Sequence, residues 1–138
     1  MPMYDLTITR ILSVHHTHTD CWAMPKPVHR QSSGVVYLTE GSITYHFDGG
    51  DETAQAGSIL VFPKGLHYCG EKNTQSQSFY VIDFETLPDQ GLEELRLPLI
   101  SKGGKWVGHL FEESAGVWST GGLTAAMRCK ELLYAILS

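Results

Sequence analysis

Basic residues are scarce in this sequence: 10 Lys plus Arg stand against 15 Asp plus Glu, a formal net charge of −5. A protein that grips nucleic acid draws much of its affinity from neutralising phosphates and releasing their counterions. So few and scattered cations do not make that face, so direct DNA binding by these residues is not expected. Cysteine is equally sparse. Cys21, Cys69 and Cys129 are widely spaced and odd in number, with no CxxC pair. That argues against a disulfide framework and against a structural zinc site, and leaves buried or unreactive thiols as the plain expectation. Long apolar runs are missing too. The longest, such as Ile59-Leu60-Val61-Phe62-Pro63, reach five or six residues, whereas a membrane helix needs about 20. The opening Met-Pro-Met-Tyr-Asp has neither the basic n-region nor the apolar h-region of a secretory signal. A cytoplasmic location is therefore expected.

What remains is an ordinary globular balance. The 138 residues are 42% hydrophobic and 18% charged, which suits one core. Residues 6 to 85 read as β-structure, with β-branched and aromatic runs broken by Gly, Pro and Asp. The clear runs are Leu6 to Val14, Gly34 to Glu40, Ile43 to Phe47, Ser58 to Phe62 and Phe79 to Phe84. Ile43, Tyr45 and Phe47 share one face by the period of two, with Thr44 and His46 on the other. Asp48-Gly49-Gly50 is a hairpin signal, and Pro63-Lys64-Gly65 a turn. Short strands with turns at this spacing predict a sandwich or barrel.

The pattern changes after Leu87-Pro88. Asp89 to Leu97 and Trp106 to Trp118 suit helices. Leu123 to Leu137 is the best of them, with apolar residues near a 3.6-residue period; Thr120 or Gly122 could open it. Its pattern is still running at Ser138, so a continuing chain is expected. The predicted organisation is a barrel over residues 1–88 followed by a helical segment over 89–138.

Gly57-Ser-Ile-Leu-Val-Phe-Pro63-Lys-Gly65-Leu-His67 resembles the second motif of the cupins, in which Gly opens a strand, Pro-x-Gly turns it and a His follows. His67 comes one residue earlier than in the commonest spacing. Upstream, Tyr37-Leu-Thr-Glu-Gly41 and Asp48-Gly49 resemble the preceding half of the same barrel. His67-Tyr68, Phe79-Tyr-Val-Ile-Asp-Phe84 and the tail Leu132-Leu133-Tyr134-Ala-Ile136-Leu137 are similar, in order and spacing, to the sensor domains of AraC-type transcription regulators. The likeness runs over roughly residues 8 to 138. It implies a cupin jelly-roll (double-stranded β-helix) barrel that binds a small effector, with a carbohydrate as the leading class. It also implies a homodimer through the C-terminal helices and DNA contact through a helix-turn-helix domain outside this chain. Leu123, Met127, Leu133, Ile136 and Leu137 are the expected dimer contacts.

The first cupin motif, which supplies most metal ligands, is largely gone. Counting back from Gly41, its Glu position falls near Gly34 and its His-x-His near Val28-His29-Arg30. His29 and His67 alone make two ligands, where a stable site generally needs three or more from the protein. No metal, no cofactor and no enzymatic activity are expected; a metal-dependent cupin enzyme and a stand-alone ligand-binding cupin are the alternatives. His16, His18 and Asp20 would share a strand face and could hold zinc, against the plainer reading of a polar strand end. No serine sits in a Gly-x-Ser-x-Gly setting.

By the resemblance, the effector pocket is lined by Arg30, His67, Tyr68, Phe79, Val81 and Asp83, with Trp22 packing on an apolar ligand face. Phe79, Val81 and Asp83 share a face by period. A carboxylate turned inward is costly unless paired, so Asp83 is expected to meet either ligand hydroxyls or Arg30. Each residue has a plain alternative: Arg30 as a solvated charge, His67 as a turn residue, Tyr68, Phe79 and Val81 as core. The facing of Trp22, Tyr37 and Tyr45 stays open.

Overall fold

The computed structural model describes residues 6–138. The reading of the N-terminus as free of a secretory signal falls on residues 1–5 and lies outside them. Among the described residues nine strands and three helices follow one another: β1 (Thr7–Thr19), β2 (Met24–His29), β3 (Ser33–Glu40), β4 (Ser42–Phe47), β5 (Gly50–Gln55), β6 (Ser58–Phe62), β7 (His67–Lys72), β8 (Gln77–Leu87), α1 (Gly91–Glu94), β9 (Ile100–Lys102), α2 (Lys105–Trp118) and α3 (Gly122–Leu137). The strands form two antiparallel sheets, ordered β1-β8-β3-β6-β9 and β2-β7-β4-β5. The first eight strands pass back and forth between the sheets in the order of a jelly roll. This is a cupin-type barrel, mainly β with C-terminal helices, as expected from the sequence.

The two sheets differ because only one is covered. Strands β3, β6 and β8 bury both faces. Val36, Leu38, Leu60, Phe62 and Val81 point into the barrel. Val35, Val61, Ile82 and Phe84 point outward, where they meet Phe111 of α2 and Cys129, Leu133 and Ile136 of α3. Strands apolar on both faces read as continuous hydrophobic runs, which is why β6 and β8 are so plain in the sequence. The second sheet faces water outside, so β4 alternates: Ile43 and Tyr45 are buried, Thr44 and His46 are not.

The strands not singled out from sequence are the polar ones. β5 (Gly-Asp-Glu-Thr-Ala-Gln) is a sheet edge with only Ala54 buried. β2 (Met-Pro-Lys-Pro-Val-His) is the other edge of its sheet, where proline is tolerated because one row of N–H groups needs no partner. Nor is the tail wholly helical. α1 is a single turn, and β9 joins the large sheet beside β6. Gly121 stands just before α3 with φ +72.

Two expected dimer contacts belong to this monomer's own core. Leu133 is fully buried and Ile136 nearly so, both packed in the cluster between sheet and helices, and Leu137 leans on the same cluster. Periodicity finds an apolar stripe, but cannot say whether a sheet or a second subunit covers it. Leu123 and Met127, 78% and 62% exposed, are on the open side. The thiols also divide. Cys129 is buried, donates to the Ser114 carbonyl at 3.5 Å and has its pKa pushed up by desolvation, whereas Cys21 is exposed and Cys69 half-buried.

On the bare face of the second sheet, His46 Nδ1 lies 2.8 Å from Asp51 and its Nε2 3.5 Å from Glu71. The hydrogen bond to Asp51 is the largest cause of a pKa raised above the ordinary 6.5. A group whose folded pKa is raised binds its proton more tightly in the fold. The contribution of this cluster is therefore fully present below the unfolded value and fades as pH rises through the folded one. NMR titration should show His46 deprotonating at a higher pH than free histidine, and Asp51→Asn should bring it back down. An unchanged midpoint in Asp51→Asn would contradict the assigned cause.

Candidate functional site

Between the sheets the side chains leave a cavity of about 210 Å³. That is below the ~300–1,000 Å³ of drug-sized pockets. Six of the seven expected ligand contacts line it: Trp22, Arg30, Tyr68, Phe79, Val81 and Asp83. Joining them are His15, Met24, Val36, Leu38, Ile43, Tyr45, Leu60 and Phe62. The inward positions of β3, β4 and β6 could have been found by strand alternation once the direction of one residue in each was known.

His67 is the exception, and the expectation that it lines the barrel is corrected. It is exposed on β7, opposite His29 of β2, with ring centroids 5.5 Å apart. In a strand a shift of one residue turns a side chain to the opposite face. His67 stands one place early relative to the cupin motif, so the inward position falls to Tyr68. His67 lines instead a larger open cleft of about 490 Å³ beside the 63–65 turn. That cleft lies on the outer surface, and its Lys64 is already paired with Asp89 at 3.0 Å. The cavity between the sheets, with its aromatic wall and charged pair, is the stronger candidate.

Arg30 and Asp83 supply the charge. Arg30 Nη2 donates to Asp83 Oδ1, and the two side chains are only 16% and 24% exposed. Ser13 Oγ donates to Asp83 Oδ2 at 3.3 Å, and Arg30 Nε to the Ser32 carbonyl at 3.2 Å. The 63–65 turn holds Arg30 in place: its N–H donates to the Leu66 carbonyl at 3.0 Å, and its own carbonyl accepts from Gly65 at 2.8 Å. The Pro-x-Gly signature thus has a local purpose, to fix the backbone that carries the cavity's cation. Asp83 is brought in by β8, in register with Gly34 on one side and Ser13 on the other.

Gly34 makes room for the pair. A Cβ there would strike Arg30 Nη2 and come 2.8 Å from both Arg30 Cζ and Asp83 Oδ1. A guanidinium can swing away, so the cost of Gly34→Ala is chiefly the lost ionic hydrogen bond, about 1.5–3 kcal/mol. The gain of roughly 0.5–1 kcal/mol for Ala over Gly in a strand offsets part of it. A net loss of about 1 kcal/mol is expected in urea denaturation. A stabilised variant would mean that the pair contributes little. Gly70 does a similar service for Trp22, whose Cη2 would lie 3.0 Å from a Cβ at that position.

The rest of the wall is aromatic. Trp22 meets Tyr45 edge-on at 5.8 Å between centroids, and Tyr45 and Phe62 both pack on Tyr68. Burial pushes the Tyr45 pKa well above its ordinary value, with nearby Tyr68 adding to the shift and Arg30 opposing it. Tyr45 is therefore an uncharged phenol, able to donate and accept. Among the described residues neither the Tyr45 nor the Tyr68 hydroxyl has a hydrogen-bond partner.

The fit to a metal is poor. Of the likely ligand types only His15 and Asp83 reach the cavity, and both Asp83 oxygens are engaged. No three of His, Cys, Asp and Glu converge at ligand distances among the described residues. His16 stacks on Tyr80 at 4.3 Å, His18 Nδ1 sits 2.5 Å from Ser78 Oγ, and Asp20 accepts from Ser76 Oγ at 2.5 Å, each with its own partner. No helix among the described residues is long and apolar enough to cross a membrane.

No family model matches the sequence, and no curated protein does. Among solved structures the chain is similar to a DUF861 family protein from Thermotoga maritima, at 15% identity and a TM-score of 0.42, over 49% of this chain and 74% of that one. It is also similar to a variant of oxalate decarboxylase from Bacillus subtilis, at 15% identity and a TM-score of 0.46, over 55% of this chain. The match spans only 22% of the decarboxylase. Likenesses this distant bear on neither ligand nor activity; the strand order by itself identifies the jelly roll.

Proposed function

We propose that this chain is a small-molecule sensor without catalytic activity, the effector-binding and dimerisation domain of an AraC-type transcription regulator. The observation that carries the sensor reading is the cavity between the sheets, which holds an Arg30–Asp83 pair, two phenols without protein partners and an aromatic wall. Few placed polar groups in an apolar concavity are what a small-ligand site needs. The regulator reading rests on the order of the sequence motifs and on one feature of the packing: β8 carries Asp83 into the cavity and Ile82 and Phe84 against the helices. An effector that favours one arrangement of β8 would bias the helices as well. A carbohydrate is the effector class the resemblance implies. A second copy would meet the open side of α3, through Leu123 and Met127, and DNA would be met through a helix-turn-helix domain outside this chain.

Thermal-shift screening of a metabolite library tests the sensor. A ligand at a hundredfold excess over its Kd adds about 2.7 kcal/mol to the stability of the fold, and Arg30→Met should remove the shift. A library that yields no stabilising compound, or hits indifferent to Arg30→Met, would refute it. The full reading frame tests the regulator: a downstream helix-turn-helix pair is expected, and a stop codon directly after Ser138 would leave only a stand-alone binding barrel.

A further inference from the structure

We infer that the cavity selects a small, planar, uncharged molecule carrying a carbonyl beside an N–H, of the amide or lactam kind. The inference rests on the reading of the barrel as a ligand site and departs from the carbohydrate that the sequence resemblance implies.

Charge is the first argument. The cavity holds one guanidinium and one carboxylate, and they are bonded to each other. An anion that captured Arg30 would free Asp83 and then sit beside it, where both side chains are largely buried; a cation that captured Asp83 would do the converse. Uncompensated charge in such surroundings is expensive. An uncharged carbonyl can accept from the Arg30 Nη1 hydrogens, which the structure leaves unengaged, while the pair stays closed. An adjacent N–H can donate to a phenol oxygen or to a remaining lone pair of Asp83.

Shape and polarity are the second. The cavity has the volume of about one substituted ring, and Trp22, Tyr45, Phe62, Tyr68 and Phe79 line it. Flat faces pack well on aromatic rings. A carbohydrate of similar size brings several hydroxyls, each needing a partner once buried. Beyond the charged pair the wall has two phenols and the rim imidazole of His15 to offer. The remaining nine liners are apolar side chains, among which only Trp22 carries a donor, its indole N–H. The balance favours one compact donor–acceptor edge over a ring of hydroxyls.

Benzamide and benzoate have nearly the same shape and differ in charge, so ligand-observed NMR and calorimetry with this pair, at pH 8, isolate the claim. Wild type should bind benzamide at least tenfold more tightly than benzoate. Asp83→Asn frees Arg30 from its carboxylate and should reverse the order. Equal or stronger binding of benzoate to wild type, or tighter binding of a pentose than of benzamide, would overturn the proposed class. Toluene serves as an apolar control. If toluene binds and benzamide does not, the cavity stands as a ligand site and the class is wrong. If neither enters, the cavity admits no solute and both readings fall together.

Discussion

Leu133→Ala is expected to destabilise the isolated chain by about 2–5 kcal/mol, the usual range for deleting a fully buried leucine side chain. Leu133 has no exposed surface and sits where α3 meets the outer face of the large sheet, among Phe111, Cys129 and Phe84. Leu133→Asp would bury a carboxylate there without a partner. With a total stability of about 5–15 kcal/mol for an ordinary domain, that substitution should leave little folded protein at 25 °C. Leu123→Asp and Met127→Asp fall on the open side of the same helix and should change monomer stability by no more than about 0.5 kcal/mol. Urea unfolding together with light scattering separates the cases. Loss of fold in Leu133→Asp, with loss of any dimer but not of fold in Leu123→Asp, is the expected pattern. A Leu133→Asp chain that folds normally as a monomer would contradict the packing described for α3.

The second large effect concerns Arg30 and Asp83. Arg30→Met leaves the Asp83 carboxylate with only Ser13 Oγ at 3.3 Å. Asp83→Leu leaves the guanidinium with the Ser32 carbonyl. Each single substitution strips a charge-assisted hydrogen bond and strands the other partner in a site 16–24% exposed. A loss of about 1.5–3 kcal/mol is expected for each. Arg30→Met/Asp83→Leu removes both charges at once, and apolar replacements of a paired charge are often close to neutral. The double variant should therefore lie within about 1 kcal/mol of wild type, with a coupling energy above about 1.5 kcal/mol in the cycle. Simple additivity of the two losses would show that the pair is not the unit described. Because the double variant stays folded, its ligand affinity can be read without the confusion of unfolding, and that affinity should be lost.

The sequence speaks most clearly where a strand or helix is apolar enough to leave a pattern. β6 and β8, buried on both faces, are evident as runs, and α2 and α3 fall within a residue or so of the periodic segments. β2, β5 and β7 are hidden because exposed or edge strands need little β-propensity; their neighbours and the turns hold them. The cavity wall is legible through alternation, so Phe79, Val81 and Asp83 emerge together and Asp83 finds Arg30. His67 shows the weakness of the same method. A motif borrowed with a one-residue offset puts the right chemistry on the wrong face. Helix α3 shows another limit: an amphipathic stripe records that something covers it, and in this chain the large sheet covers Leu133 and Ile136 itself, leaving Leu123 and Met127 on the open side.

Pro25 and Pro27 give the outer margin of the smaller sheet a further property. Edge strands tempt other chains to zip onto their unused donors and acceptors. β2 is such an edge, yet two of its six residues have no N–H to offer. A foreign strand laid along it would find gaps where its carbonyls seek hydrogens, so the barrel can expose this rim in a crowded solution without recruiting neighbours into a growing sheet.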